Sequence, residues 1–228
     1  MEYKDLDGCS INESISIYNC DCLDLLKQTP DNYYSLAIVD PPYGINASQG
    51  VGLHSRKKFK KAKKNWDDAT PNEDYFKELF RVSKNQIICG ANYFVEHLYS
   101  TKSFICWVKN NPAPNFAQAE YLWTSLNVNG KVYDTGKQIQ YQIQKEGGSM
   151  HPTQKPIALY EWLLTNYSEP NQKILDTHLG SGSIAIAIDN VNKIEKMNLT
   201  LTACELDPDY FKAAMKRIKR ETAQQTIF

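Results

Sequence analysis

The chain has 228 residues, of which 26 are basic and 26 are acidic, so its formal net charge is zero. Its length suits one domain with a sizeable core, and its 42% apolar and 11% aromatic content excludes a disordered chain. No apolar run reaches the roughly 18 residues that predict a membrane span, and the acidic, polar N-terminus does not resemble a secretory signal. The six cysteines lack C-x-x-C spacing, which argues against a disulfide framework or a zinc site. We therefore expect a single cytoplasmic domain over residues 1–228, with no membrane and no metal as partners.

The balanced total conceals one strongly basic segment. Seven of the nine residues from Arg56 to Lys64 are Lys or Arg, and the remainder of the chain has 19 basic residues against 26 acidic ones. The total argues against a uniformly basic nucleic-acid binder, but this segment could still bind phosphates locally. A solvated charge run is the alternative. Residues 45–70 as a whole are polar, which predicts a long loop of the kind that is often functional.

Strand-like and helix-like segments alternate along the chain. Short apolar or alternating runs predict strands at 15–19, 35–40, 86–90, 103–109, 118–124, 138–143, 173–177 and 199–204. Helical periodicity and capping residues predict helices at 21–27 (capped by Asp21), from Thr70-Pro71 to Val82 (capped by Thr70), and at 91–99, 156–167, 183–194 and 208–220. Such alternation predicts an α/β fold: a Rossmann-like three-layer sandwich around a mostly parallel twisted sheet.

A glycine-rich turn follows the strand at 173–177 and leads directly into a helix. Gly180 and Gly182 permit a tight turn that a ligand can approach closely. About 25 residues later a second strand ends at Glu205, a place where an acidic side chain typically accepts hydrogen bonds from ribose hydroxyls. This pattern predicts a nucleoside-containing cofactor, and with Ala185 the glycines also fit a nicotinamide motif. An ordinary strand–helix turn beside a surface carboxylate is the alternative.

The segment Asp40-Pro41-Pro42-Tyr43 directly follows the strand at 35–40. Two consecutive prolines restrict the backbone, so the carboxylate, the neighbouring carbonyls and the aromatic ring are held rigidly. A carboxylate and a carbonyl can together accept both protons of an amino group, while the ring stacks on a planar base. The segment therefore suits a planar substrate that carries an amino group, although a proline-rich exit turn with a packed tyrosine is the alternative.

These two segments, together with the run H-P-T-Q-K-P at 151–156, resemble the amino-group DNA methyltransferases that use S-adenosylmethionine. The order of the motifs, with D-P-P-Y first and the glycine-rich turn last, resembles the permuted β class of that family. Aspartate at position 40 resembles the adenine-N6 subgroup, whereas serine is typical of the cytosine-N4 subgroup. The likeness covers about 15–110 and 150–220. Residues 110–150 match less well and are predicted to form a minimal target-recognition region.

The resemblance implies a role for each matching residue. The catalytic motif would be Asp40, Pro41, Pro42 and Tyr43. The cofactor would be held by Asp21, His151, Thr153, Gln154, Lys155, Asp176, Gly180, Gly182 and Glu205. The family often has an aromatic residue where this chain has Leu179, and the adjacent His178 is interpreted as an ordinary loop histidine, with a cofactor contact as the alternative. DNA would be contacted by Arg56, Lys57, Lys58, Lys60, Lys61, Lys63, Lys64 and Lys109.

The implied reaction is direct methyl transfer from S-adenosylmethionine to the N6 amine of an adenine flipped out of double-stranded DNA, with Asp40 and the Pro41 carbonyl as acceptors. Cytosine-N4 methylation, or the same chemistry on RNA or on a protein amide, is the alternative. A role in restriction–modification is typical of the family, and we expect a monomer or a homodimer. Trp107 is predicted to belong to the core. The basic residues of the last helix, Lys212, Lys216, Arg217, Lys219 and Arg220, are predicted to stay solvated.

Overall fold

The computed structural model describes residues 3–45, 67–111, 117–151 and 153–223. In these residues nine strands form one sheet in the order β1-β2-β9-β8-β3-β4-β6-β5-β7. The strands are β1 (Asp7–Asn12), β2 (Ile15–Asn19), β3 (Tyr34–Val39), β4 (Ser83–Cys89), β5 (Phe104–Val108), β6 (Ala119–Thr124), β7 (Lys131–Tyr133), β8 (Lys173–Asp176) and β9 (Thr200–Cys204). The five strands from β2 to β4 in the sheet order are all parallel, whereas β1 and β6 pair antiparallel with their neighbours.

Helices cover both faces of this sheet. They are α1 (Cys22–Gln28), α2 (Glu73–Val82), α3 (Ile139–Lys145), α4 (Ile157–Tyr167), α5 (Ser183–Glu195) and α6 (Pro208–Ala223). Apolar side chains of α4, α5 and α6 pack on one face, and those of α1 and α2 pack on the other. This arrangement confirms the three-layer α/β sandwich with a mostly parallel sheet. Among the described helices, none combines the length and the apolar character that crossing a bilayer would require.

Most predicted elements occur within a few residues of their expected bounds, and two helix caps show one prediction that was confirmed and one that was wrong. The Asp21 carboxylate accepts a hydrogen bond of 2.8 Å from the Leu23 amide at the start of α1, as the sequence predicted. Helix α2 begins later than expected, because Asn72 rather than Thr70 caps it by accepting from the Tyr75 amide at 3.2 Å. The cap prediction at Thr70 was therefore wrong, although the helix it announced is present.

Two other predictions of secondary structure were wrong. Residues 91–99 do not form an α-helix but two 3-10 turns, Ala91–Tyr93 and Val95–His97, separated by Phe94, whose backbone angles (φ −128°, ψ 15°) are not those of an α-helix. Residues 138–143 do not form a strand, because Ile139–Lys145 is helical and Lys131–Tyr133 pairs with β5 instead. The alternation of Gln with apolar residues suggested a strand, but Ile139 and Ile143 are also four residues apart, which suits one side of a helix. Strand β1 was not predicted.

The sheet has a topological switch point between β3 and β8. From β3 the chain passes through α2 to β4 on one side, and from β8 it passes through α5 to β9 on the other side. Ligands of open α/β sheets bind beyond the carboxyl ends of the strands at such a point. The segments that leave these two strand ends are the D-P-P-Y motif and the glycine-rich turn, so the fold brings both predicted motifs to one crevice.

Candidate active site

A cavity lies at the carboxyl edge of the sheet, above the switch point. Its wall includes the whole D-P-P-Y motif, part of the H-P-T-Q-K-P run and the glycine-rich turn. The lining residues are Cys20, Asp21, Cys22, Asp40, Pro41, Pro42, Tyr43, Asp67, His151, Thr153, Gln154, Lys155, Tyr160, Thr177, His178, Leu179, Gly180, Ser181, Ser183, Glu205, Leu206 and Tyr210. Eleven of the thirteen residues predicted for catalysis or cofactor binding are in this wall, and Asp176 and Gly182 are not.

The glycine-rich turn is fastened to the end of β9. The Gly180 amide donates to Glu205 Oε2 at 2.9 Å, and Glu205 Oε1 accepts from the Asp207 amide at 3.0 Å. Gly180 has a backbone φ of 53°, and a Cβ built on it would meet no atom closer than 3.8 Å, so its side toward the cavity is open. Gly182 instead serves packing, since a Cβ there would lie 2.7 Å from Ile218 of α6.

Asp176 lies beneath this turn with one carboxylate oxygen unpaired. Its Oδ1 accepts from the His178 amide at 3.0 Å, whereas no described residue donates a hydrogen bond to its buried Oδ2. Burial raises the pKa of Asp176 to about 8, with the nearby Asp40 and Glu205 carboxylates adding to the rise. An orphaned buried oxygen of this kind is suited to a cationic or hydrogen-donating group of a ligand.

His178 belongs to the cavity wall, in contrast to its interpretation as an ordinary loop residue. Its Nδ1 lies 2.9 Å from Thr177 Oγ1, which in turn bonds the Tyr75 hydroxyl at 2.7 Å, and its ring meets the Tyr75 ring edge-on. Burial lowers the pKa of His178 to about 4, so the imidazole is neutral at physiological pH. Leu179, at the position where an aromatic residue was expected, is buried and contributes an apolar surface to the same wall.

Three charged side chains meet at the D-P-P-Y end of the cavity. Lys155 Nζ lies 2.5 Å from Asp40 Oδ1 and 3.2 Å from Glu120 Oε1, and its side chain is only 3% exposed. Burial alone would lower the pKa of Lys155, but the two carboxylates outweigh it and raise that pKa, so the ammonium stays charged. Burial raises the pKa of Asp40, and the Lys155 ammonium limits that rise. Sequence reasoning assigned Lys155 to the cofactor, whereas the structure brings its ammonium to Asp40.

Tyr43 completes this cluster. Its hydroxyl lies 2.6 Å from Asp40 Oδ1 and 3.0 Å from Glu120 Oε1, so it can donate its proton to either, and it accepts from Lys155 Nζ at 3.0 Å. Its ring stacks on Tyr93, with centroids 4.8 Å apart and planes 12° apart. Gly90 is required for this position, because a Cβ at Gly90 would lie 2.3 Å from the Tyr43 ring. One face of the ring predicted to stack on a base is therefore already occupied by Tyr93.

A metal ion is not needed to balance these carboxylates. Asp40, Cys89 and Glu120 bring potential ligand atoms within 4.8 Å of one another. The Lys155 ammonium already contacts both carboxylates of that group, at 2.5 and 3.2 Å. The cation between the two acids is thus a side chain of the protein itself.

The predicted DNA contacts are largely beyond what the structure describes. Arg56, Lys57, Lys58, Lys60, Lys61, Lys63 and Lys64 all lie outside the described residues. Lys109 is described, and its Nζ binds Glu120 Oε2 at 2.6 Å and lies 4.9 Å above the Trp107 ring. Trp107 is 1% exposed, which confirms its place in the core. Lys109 is therefore held in an ion pair in this structure, and contact with DNA stays a prediction.

Arg217 corrects the interpretation of the last helix as uniformly solvated. Its side chain is 5% exposed, and its guanidinium donates to the Ser181 carbonyl at 3.0 Å and to Ser183 Oγ at 2.9 Å. It also reaches Glu146 at 3.4 Å, just beyond α3. Ser183 in turn donates to the Lys155 carbonyl at 2.8 Å. Arg217 thereby links the glycine-rich turn, the 110–150 region and the Lys155 segment.

Comparisons with known proteins agree with this site. Residues 95–216 match a family model, that of the N6 and N4 methyltransferases, described as DNA methylase. The chain is 23% identical over 257 residues to the type II methyltransferase M.HinfI of Haemophilus influenzae, covering 92% of this chain and 70% of the relative.

Two solved structures share the fold at low sequence identity. A complex of M1.HpyAVI with S-adenosylmethionine aligns with a TM-score of 0.57 at 20% identity, over 90% of this chain and 98% of that one. The cytosine-N4-specific PvuII DNA methyltransferase aligns with a TM-score of 0.55 at 15% identity, over 95% of this chain and 89% of that one. At these identities the alignments establish the fold alone.

Proposed function

The chain belongs to the DNA methylase family, and we propose that it methylates the exocyclic N6 amine of a flipped-out adenine in double-stranded DNA. The cofactor of this family is S-adenosylmethionine. The observation that carries the proposal is the position of the Asp40 carboxylate, which faces the same cavity as the glycine-rich turn at the switch point of the sheet. Aspartate at the first motif position favours adenine over cytosine within the family.

The residues around the cavity fit the cofactor. The orphaned Asp176 Oδ2 suits the ammonium of its methionine part, and the Glu205 carboxylate suits the ribose hydroxyls. Asp21, His151, Thr153 and Gln154 complete the proposed binding wall, and the open side of Gly180 leaves room for close approach. When bound, the cofactor supplies a methyl group whose bond to a cationic sulfur breaks as a bond to nitrogen forms, leaving a neutral thioether.

Asp40 provides the acceptor for the target amine. Tyr43 and Lys155 both bind its Oδ1, which fixes the carboxylate and directs Oδ2 to the amine in our proposal. The Pro41 carbonyl accepts a hydrogen bond from the second N–H of the amine. These acceptors favour tetrahedral geometry at the nitrogen and stabilise the positive charge that develops on it as the new bond forms. The methylated nitrogen then loses one proton, for which Asp40 is the adjacent base.

Binding of the duplex is assigned to the basic segment at 56–64, which follows the catalytic motif in the chain. Each lysine or arginine on a phosphate adds affinity that weakens with salt. The flipped base is proposed to stack on Tyr43, whose ring lines the cavity and stacks on Tyr93 with its other face. The type II label of the H. influenzae relative suggests that this chain also serves a restriction–modification system.

Product analysis tests the proposal. Purified protein is incubated with duplex DNA and S-adenosylmethionine carrying a labelled methyl group, and the DNA is digested to nucleosides for mass spectrometry. We expect labelled N6-methyl-2′-deoxyadenosine, and none in reactions in which the thioether product replaces the methyl donor. Labelled N4-methyl-2′-deoxycytidine instead would establish the cytosine-N4 alternative, which the family of N6 and N4 methyltransferases also includes. Transfer to RNA or protein, but not to DNA, would refute both.

A further inference from the structure

Glu120 is the second residue of β6 and belongs to none of the sequence motifs. It is 9% exposed, and it is bound at both carboxylate oxygens. Its Oε1 contacts Lys155 Nζ at 3.2 Å and the Tyr43 hydroxyl at 3.0 Å, while its Oε2 contacts Lys109 Nζ at 2.6 Å. A buried carboxylate with three such partners is placed to control the position of each of them.

The charges along this row alternate in sign. They run from the Lys109 ammonium through the Glu120 carboxylate and the Lys155 ammonium to the Asp40 carboxylate. Burial alone would raise the pKa of Glu120, but the ammonium groups of Lys155 and Lys109 outweigh it and lower that pKa to about 2. With Glu120 and Asp40 both ionised, the two ammonium groups and two carboxylates of the row carry no net charge.

This neutrality matters for methyl transfer, and a role for Glu120 in it rests on the proposed function. A lysine beside Asp40 keeps that carboxylate ionised in a buried site. Held by Asp40 alone, however, the Lys155 ammonium would compete with the target amine for the same carboxylate and would oppose the positive charge that develops on the nitrogen. Glu120 removes both difficulties, because it shares Lys155 and places a second negative charge behind it.

We propose that Glu120 is a positioning residue for methyl transfer. It holds Lys155 and the Tyr43 hydroxyl against Asp40, and Lys109 holds Glu120 in turn. Glu120 itself lies in the 110–150 region, and Lys109 connects the row to α3 of that region as well, since its carbonyl accepts from the Ile139 amide at 3.1 Å. The row therefore joins the acceptor of the target amine to the segment predicted to recognise the target.

The isosteric variant Glu120→Gln tests the proposal, with Glu161→Gln as the matched control because Glu161 binds Asn190 on α5, away from the cavity. We expect kcat to fall on the order of 100-fold, as for a small misplacement of a reacting group, with little change in KM for S-adenosylmethionine. The acid limb of the kcat profile should also move to lower pH, because loss of the Glu120 charge removes one cause of the raised Asp40 pKa.

The groups that face Asp40 from the surrounding elements must all be considered in that profile. They are Tyr43, Cys89, Glu120, Lys155, Tyr160 and Asp176. Glu120→Gln changes the charge of only one of these groups, Glu120 itself.

A second variant, Lys109→Met, removes a positive charge from the far end of the row. Its acid limb should therefore move to higher pH, opposite to that of Glu120→Gln. Lys131→Met is its control, because among the described residues Lys131 contacts the Asn166 side chain and the Tyr167 ring and no charged group of the row.

The outcomes separate the two proposals. If wild-type protein binds S-adenosylmethionine but methylates no DNA, the proposed function fails and this inference fails with it. If the wild type is active and Glu120→Gln keeps its kcat and acid limb, only the role of Glu120 is overturned. If both row variants lose thermal stability and kcat without opposite shifts of the acid limb, Glu120 is a structural residue and the positioning role is likewise overturned.

Discussion

Replacing Lys155 by methionine should destabilise the protein strongly, and more at high pH than at low pH. The ammonium contacts Asp40 at 2.5 Å and Glu120 at 3.2 Å in a site where its side chain is 3% exposed. Methionine fills nearly the same volume, so the change removes the charge without leaving a large cavity. Glu120 keeps Lys109 as a partner, whereas Asp40 loses its only described cationic partner.

The magnitude follows from the burial of the pair. Removing one partner from a buried ion pair costs about 3–5 kcal/mol of unfolding free energy, because the other charge is left uncompensated. For a chain of this size each kcal/mol shifts Tm by about 2–4 °C, so the expected decrease is about 6–20 °C. The control Lys131→Met alters an exposed lysine bound to Asn166 and should stay within about 0.5 kcal/mol of wild type.

The pH dependence has a defined sign. Without Lys155, burial raises the folded-state pKa of Asp40 further above its unfolded value. For a carboxyl group with a raised folded-state pKa, the free energy of unfolding falls as the pH rises from the unfolded-state pKa through the folded-state pKa. No stability is lost at a pH where the group is protonated in both states. Thermal unfolding of both variants at pH 8 and pH 5 checks this. A loss of stability by Lys155→Met that is small, or that grows as the pH falls, would refute the reasoning.

Three further predictions concern Asp176, the glycine-rich turn and the basic segment. Because the pKa of Asp176 is about 8, binding of S-adenosylmethionine near pH 7 should release a proton from Asp176. Affinity should therefore increase about tenfold for each unit by which the pH rises toward 8. Calorimetry in buffers of different ionisation enthalpy checks this, and binding without proton release would contradict it. Gly182→Ala should lose more unfolding free energy than Gly136→Ala, because both have a positive φ but only Gly182 would also meet Ile218; equal losses in urea denaturation would show that this contact is unimportant. Reversing the four lysines within 60–64 should weaken DNA binding and reduce the slope of log affinity against log salt by up to about 4, and an unchanged slope in a salt titration would exclude that segment from the interface.

Contiguous motifs explain why much of the site could be predicted from the sequence. Asp40, Tyr43 and Gly180 lie within short runs at the ends of strands, and the switch point of the sheet brings strand ends together by topology alone. Glu120 could not be placed in the same way, because 77 positions separate it from Tyr43 and only the antiparallel pairing of β6 brings the two side chains together. Its one sequence signal is a lone acidic residue in an otherwise apolar strand.

Arg217 was missed for a different reason. Its neighbours Lys216 and Lys219 are exposed, and the number of basic residues on α6 alone suggests that the whole helix is a basic surface. Helical spacing would have shown that Arg217 shares a buried side with Ala214 and Ile218. The partners of its guanidinium, the Ser181 carbonyl and Ser183, become visible only once α6 packs beside the glycine-rich turn.

The most direct test of the central claim is the single-turnover rate of methyl transfer to duplex DNA by Asp40→Ala, measured at saturating S-adenosylmethionine. Asp40 is proposed to accept a hydrogen bond from the target amine and not to hold the methyl donor, so binding of the donor should persist. The rate of transfer should fall by at least about 100-fold, as when one stabilising group is removed from an active site. An Asp40→Ala variant that binds the donor and transfers the methyl group at the wild-type rate would contradict the account.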